Sequence, residues 1–260
     1  MIKDFIELIS RTLSGRQSAM GKNMTLVLSY FDQAEVLEQH LAQWESYSPD
    51  IRASVNFMIV DDCSQLPAKD VLNNFGPLDI SIKVYRVLDD LYCNIAGGRN
   101  LGASECSTEW MLILDMDTMV PELLIKKMLR LTQKNRPATA YRFNRTVPDN
   151  PGHEKNGVPH PAVCLIRQKD YWAIGGCEED LVGNYGYTDP CFWLRAKGKI
   201  RSIIKRNMYL IYNPAGESSI KRDKRINRKK FYSYKARGGW SNRYLNFNWR
   251  LEQLDIDLPN

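Results

Sequence analysis

The stretch WMLILDMD, residues 110–117, decides how this chain reads. Four consecutive apolar residues, Met111 to Leu114, lead into Asp115, and Asp117 follows after a single methionine. So short an unbroken apolar run predicts a strand buried on both faces. Two carboxylates one residue apart at a strand end can aim at one point only if the chain is already turning, and a cation is then their natural neutraliser. Hard ions such as Mg2+ take oxygen ligands and bring substrate phosphates as further ligands, which suits a diphosphate leaving group. A lone triplet of this kind more often merely caps a loop, so the surroundings must decide.

Working upstream, MTLVLSYF (24–31) and VNFMIV (55–60) are further buried strands, and ISIKVYRV (80–87) is a third candidate. Between the first two, Asp32 and Glu35 form a capping-box arrangement, with Leu37, Leu41 and Trp44 as the inward face of a helix. His40 on that helix reads as a surface or boundary residue. AGGRNLGASECS (96–107) is expected to become helical after its glycines. Strand and helix thus alternate, which favours a mostly parallel sheet with helices on both faces. Ligands of such sheets bind beyond the carboxyl ends of the strands, where Asp61-Asp62 and Asp115/Asp117 both fall.

Downstream, ELLIKKMLRLTQ (122–133) is helical and ATAYRF (138–143) is a strand. It leads into a polar, proline-rich loop from Asn144 to Pro161, long enough to be functional. AVCLIR returns as a strand, YWAIGG turns sharply, and a helix is entered near Thr188-Asp189 with Pro190 in its first turn. IRSIIKRNMYLIYN (200–213) supplies the last strand material.

At 260 residues, 43% apolar and 25% charged, the chain is long enough for a full α/β core. No apolar run is long enough to cross a bilayer and no signal-peptide pattern opens the chain, so a cytoplasmic protein is expected. The six cysteines show no zinc or disulfide spacing and read as reduced thiols. The net charge of +6 is local: residues 221–230 alone carry seven cations against Asp223.

Four segments in order, LVLSYFDQ, IVDDCS, GGRNLGASECSTEWMLILDMD and IGGCEEDLVGNYGYTDPCFWLR, resemble the GT-A glycosyltransferases. The likeness is to family 2, with a galactosyltransferase-like C-terminal motif, over about residues 24–216. It implies an α/β GT-A fold with a mixed, mostly parallel sheet: a nucleotide-binding half at 24–120, an acceptor half at 121–216, an N-terminal helix and linker at 1–23, and a basic extension at 217–260. It further implies an inverting transfer from a nucleotide-sugar donor, with a UDP-sugar favoured, to a hydroxyl of a glycan, glycolipid or other acceptor.

By the same resemblance, Ser29, Tyr30, Asp61 and Asp62 form the base pocket, Asp62 accepting the imide N–H of uracil or thymine. Arg99 and Asn100 approach the donor. Asp117 holds Mn2+ or Mg2+, and Asp115 serves the ribose or metal-bound water, or shares the metal. Asp189 is the general base, although Thr188 and Cys191 replace acids found in many relatives. Gly176, after Gly175, gives a tight turn under the sugar, and Glu178 with Glu179 addresses sugar hydroxyls. Trp172 or Tyr187 is placed to stack on a pyranose. Many relatives have a late histidine ligand where this chain has Asn213, which leaves the third protein ligand open, and His153 and His160 are candidates to meet the acceptor.

The basic stretch at 221–243, with interleaved aromatics, suits the diphosphate, an anionic acceptor, or the inner surface of an anionic membrane. No nucleic-acid partner is expected. The rival readings are a retaining GT-A enzyme and a non-enzymatic protein that binds nucleic acid or anionic surfaces.

Overall fold

The computed structural model describes residues 22–134, 136–217 and 220–254. The expected N-terminal helix, up to residue 21, lies outside the described residues.

A nine-stranded sheet, in the order β5-β8-β6-β7-β4-β1-β2-β3-β9, organises the chain. At its centre β1 (Met24–Tyr30), β2 (Val55–Asp61), β3 (Ile82–Val87) and β4 (Trp110–Leu114) run parallel. β6 (Thr139–Thr146) is also parallel to β8 (Arg201–Tyr212). Antiparallel pairing attaches β7 (Pro159–Arg167) between β4 and β6, and the short β5 (Thr118–Met119) to β8.

The sheet alternates its apolar side chains between two cores, as a period of two requires. Leu26, Leu28, Leu112 and Leu114 face one layer, built from α1 (Ala34–Glu45), α2 (Pro49–Ser54), α3 (Ala68–Phe75) and α5 (Glu122–Thr132). Val27, Met111 and Ile113 face the other, built from α4 (Ile95–Glu105), α6 (Gln168–Ile174) and α7 (Thr188–Ala196).

Several elements differ from the sequence reading. Asp32 is not a helix cap: it has φ 45°, its carboxylate accepts from the Leu66 amide, and Gln33 stands at the α1 cap without a side-chain bond. Helix α4 runs through the glycines rather than starting after them, capped by Asn94, whose Oδ1 accepts from the Gly97 amide at 3.1 Å. Its glycines are contact residues, since a Cβ on Gly102 would lie 2.2 Å from Val27 Cγ1. The loop after β6 is shorter than expected, because β6 continues to Thr146 and β7 begins at Pro159.

The largest difference is at the C-terminus. The last strand is not β8 but β9 (Trp249–Leu251), which pairs antiparallel with β3 at the opposite edge of the sheet. The basic segment between them forms α8 (Arg225–Arg237), and no sequence periodicity marks the three-residue strand that follows.

Candidate active site

A cavity of about 300 Å3 opens beyond the carboxyl ends of β1, β2 and β4. It is lined by Ser29, Tyr30, Asp62, Arg99, Asp115, Asp117 and Asp189, so seven of the residues singled out in the sequence meet in one space.

Arg99 organises the centre. Its Nη1 donates to Asp189 Oδ1 at 2.7 Å, and its Nη2 to Asp115 Oδ1 and Oδ2 at 2.8 and 3.1 Å. Burial opposes its charge, but Asp115 and Asp189 outweigh that cost and hold the guanidinium above its usual pKa. The bond to Asp189 engages only Oδ1.

Asp189 stands in the first turn of α7, behind Tyr187. That tyrosine has φ 66°, an uncommon conformation for a bulky residue, and its ring lies on the cavity wall 5.2 Å from the Phe231 ring. Strain of this sort is retained where the surroundings enforce it, often at functional sites.

Ser29 and Asp62 also line the cavity. Asp62 Oδ2 accepts from the Asn94 amide at 2.9 Å. Burial pushes its carboxyl up to about 6, with the Asn94 amide pulling it down. Beside it, Ser29 Oγ is buried and has no hydrogen-bond partner among the described residues.

The Asp115-Met116-Asp117 turn is braced on every side. His40 is not at the surface: it is 1% exposed, and its Nε2 donates to the Met116 carbonyl at 3.2 Å. Burial pushes its ring down to about 4. The Asn213 amide donates to the Asp117 carbonyl at 2.8 Å. A Cβ on Gly216 would lie 2.2 Å from the Met116 carbonyl oxygen, so only glycine fits there.

The donor set for a cation consists of Asp115, Asp117 and His160, with ligand atoms within 4.8 Å of one another. Two carboxylates and an imidazole suit a divalent ion such as Mn2+. His160, named in the sequence only as a candidate for the acceptor, stands beside Asp117, while the Asn213 side chain turns away to Gln39 and the Ala215 amide. The wiring of His160 adds a condition. Its Nδ1 accepts from the Ala162 and Val163 amides at 3.1 and 3.0 Å, so in the neutral ring Nε2 carries the hydrogen and donates to Asp117 Oδ1 at 3.1 Å. In this arrangement Nε2 of His160 is engaged by Asp117 rather than free to bind an ion.

Several residues assigned to ligand contact are not among those lining the cavity. Asp61 is fully buried, accepting from the Ser64 and Ala68 amides and from Arg86. Asn100 bonds the Cys177 carbonyl and Glu179. Gly176, with φ 61°, packs on the Asn100 side chain. Glu178 is 1% exposed, held by Ser241 and facing Arg195 at 3.6 Å. Trp172 packs against Tyr171 and Tyr244 and His153 against Tyr212, and neither is a lining residue.

Sequence reading did not single out Arg145, Lys155 or Tyr185, which also line the cavity, and it named Arg222 only as part of the basic stretch. Arg145 lies on β6 and carries no pattern that marks it. His40 had a signal: it sits three residues after Leu37 and four before Trp44, on the buried face of α1.

The family model for glycosyl transferase family 2 matches residues 34–195. The chain belongs to glycosyltransferase family 2. Structural likeness agrees with this membership at the level of fold. The S. aureus TarS 1-349 structure in complex with UDP-GlcNAc superposes with a TM-score of 0.59 at 13% identity, covering 76% of this chain and 60% of TarS 1-349. The mannosyltransferase PcManGT from Pyrobaculum calidifontis, in complex with GDP-Man and Mn2+, gives a TM-score of 0.59 at 14% identity, covering 92% of this chain and 72% of that one. This family 2 chain thus spans about 60% of the TarS length it is compared with. No curated protein sequence matches it.

Proposed function

We propose that this family 2 chain transfers a sugar from a nucleoside diphosphate donor, a UDP-sugar in the first instance, to a hydroxyl acceptor with inversion at the anomeric carbon. The observation that carries this reading is the convergence of Asp62, Asp117 and Asp189 on one cavity.

Asp62 and Ser29 receive the base. An ionised Asp62 accepts a hydrogen bond from uracil N3–H, whereas cytosine offers only an acceptor there. Asp117, with Asp115 beside it and His160 orienting its carboxylate, would hold a divalent cation whose chemistry is to neutralise the departing diphosphate. Asp189 Oδ2 takes the proton of the acceptor hydroxyl as that oxygen bonds to the anomeric carbon. The bond from the anomeric carbon to the diphosphate oxygen breaks on the opposite face, and the electron pair leaves with the nucleotide. Arg99 holds the base in place from behind.

The nucleotides in the similar structures, UDP-GlcNAc and GDP-Man, are both diphosphate donors. Guanine N1–H is also a donor to a carboxylate, which makes GDP the second nucleotide to test.

A thermal-shift panel of UDP, GDP, CDP and TDP, with and without Mn2+, tests the reading. UDP is expected to raise the melting temperature only with the metal, and not in Asp117→Ala. Equal stabilisation of that variant would remove the metal assignment. The anomeric configuration of product against donor tests inversion.

A further inference from the structure

Helix α8 presents a face that the catalytic site does not use. Its inner side is fixed. Asn227 is fully buried and its Nδ2 donates to the Leu181, Asn184 and Gly186 carbonyls at 3.0, 2.8 and 2.9 Å. Phe231 packs on Tyr187, and Tyr234 stacks on Trp240 with centroids 4.7 Å apart. These contacts set the rotation of the helix.

The side left outward is cationic. Arg225, Arg228, Lys229, Lys235 and Arg237 are all exposed, and from residue 224 to residue 251 the chain contains no acid. Among these, Arg225 is paired with Asp223. With an advance of about 100° per residue, Tyr232 falls at the middle of this face, flanked by Arg228 and Lys229. Tyr232 and Ile226 are 51% and 52% exposed. A polybasic helix face with an amphipathic aromatic at its centre has the composition of a helix that lies in a lipid headgroup layer.

We propose that α8 docks this face on a membrane surface rich in anionic phospholipid. The inner side of the same helix holds the 181–187 segment, which carries Tyr185 and Tyr187 on the cavity wall next to Asp189. Docking therefore places the helix that holds this wall segment at the lipid surface. On the transferase reading, which this last step alone requires, the acceptor hydroxyl is one presented at that surface.

The experiment is co-sedimentation of the full chain with phosphatidylcholine vesicles, with and without phosphatidylglycerol. The chain is expected to pellet with the anionic vesicles only, and to be released as salt rises. The combined variant R228E, K229E and K235E should weaken vesicle binding by at least about tenfold while keeping the wild-type melting temperature and UDP–Mn2+ thermal shift. A milder variant with glutamine at the same positions should fall between the two. Equal binding to neutral vesicles, or unchanged binding of the reversed variant, overturns the proposal. So does an RNA or DNA oligonucleotide that binds the helix face more tightly than the vesicles and displaces them. Vesicle binding needs no donor, so its failure and a failure of the transferase reading are separate results.

Discussion

The guanidinium of Arg99 lies 2.7 Å from Asp189 and 2.8 Å from Asp115, joining two carboxylates that are 74 residues apart in the chain. The arginine is 5% exposed at its side chain, so water screens little of this interaction. Removing it leaves two carboxylates facing each other without their counter-charge.

Arg99→Met is accordingly expected to cost about 3–5 kcal/mol of stability, the magnitude found when one partner of a buried pair is lost. Arg99→Lys keeps the charge but cannot span two carboxylates in the planar fork, so transfer should fall by at least about 100-fold with the fold retained. Melting temperature and single-turnover rate, measured on both variants, check this pair. A lysine variant with wild-type rate would mean that Arg99 does not position the base.

Asp62 carries a pH signature. Its folded pKa, about 6, lies above the ordinary 3.8, so its contribution to stability is present below 3.8 and is lost as pH rises through 6. Ligand binding runs the other way, because the ionised carboxylate is the better acceptor. UDP affinity is expected to drop about fourfold between about pH 7.5 and about pH 5.5, and Asp62→Asn to bind more weakly with a flatter profile. Calorimetric titration across that range gives the answer.

His40 titrates in the opposite sense. Its folded value, about 4, lies below the ordinary 6.5, so the stability it confers is present above 6.5 and lost as pH falls through 4. His40→Gln, which keeps a donor for the Met116 carbonyl, should show less acid destabilisation than the wild type. His40→Leu leaves that carbonyl unpaired, at a cost of about 1–3 kcal/mol. Melting curves from pH 7 down to about pH 4.5 distinguish the two substitutions.

Gly216→Ala tests the brace behind the metal turn. The added methyl would meet the Met116 carbonyl and the Asp117 amide at 2.2 and 2.5 Å, both backbone atoms that cannot swing aside. The expected result is a loss of about 1–3 kcal/mol together with loss of the Mn2+-dependent UDP shift. A variant that keeps the full shift would show that the turn has room to move.

The parallel centre of the sheet was readable because β2 and β4 are largely apolar runs leading into acids, with helical segments between the strands. Those acids fell at the carboxyl ends, which placed the cavity. The resemblance put both Asp61 and Asp62 in the base pocket and gave the base contact to Asp62; adjacent residues in an extended chain point to opposite sides, and the fold turns Asp61 away to Ser64, Ala68 and Arg86. Asn100, Gly176 and Glu178 bear motif chemistry but are engaged within the protein: Asn100 with Cys177 and Glu179, Gly176 against Asn100, and Glu178 with Ser241 and Arg195. His160 was visible as a residue, while its approach to Asp117 depends on the pairing of β7 with β4, a contact between distant parts of the chain. Arg145 and β9 left no periodic signal at all.

The stretch from Asn213 to Asn248 leaves β8 near one margin of the sheet and re-enters as β9 at the other. Seven strand spacings, roughly 34 Å, lie between these two anchorages. A segment hydrogen-bonded at both ends behaves as a bridge deck rather than a hanging tail. Its middle is held as well, through Asn227, Phe231 and Tyr234 of α8, so it cannot swing clear. Cutting the chain after residue 216 would therefore not trim an appendage: it would strip the cover from β3 and leave a raw sheet margin open to pairing with other chains.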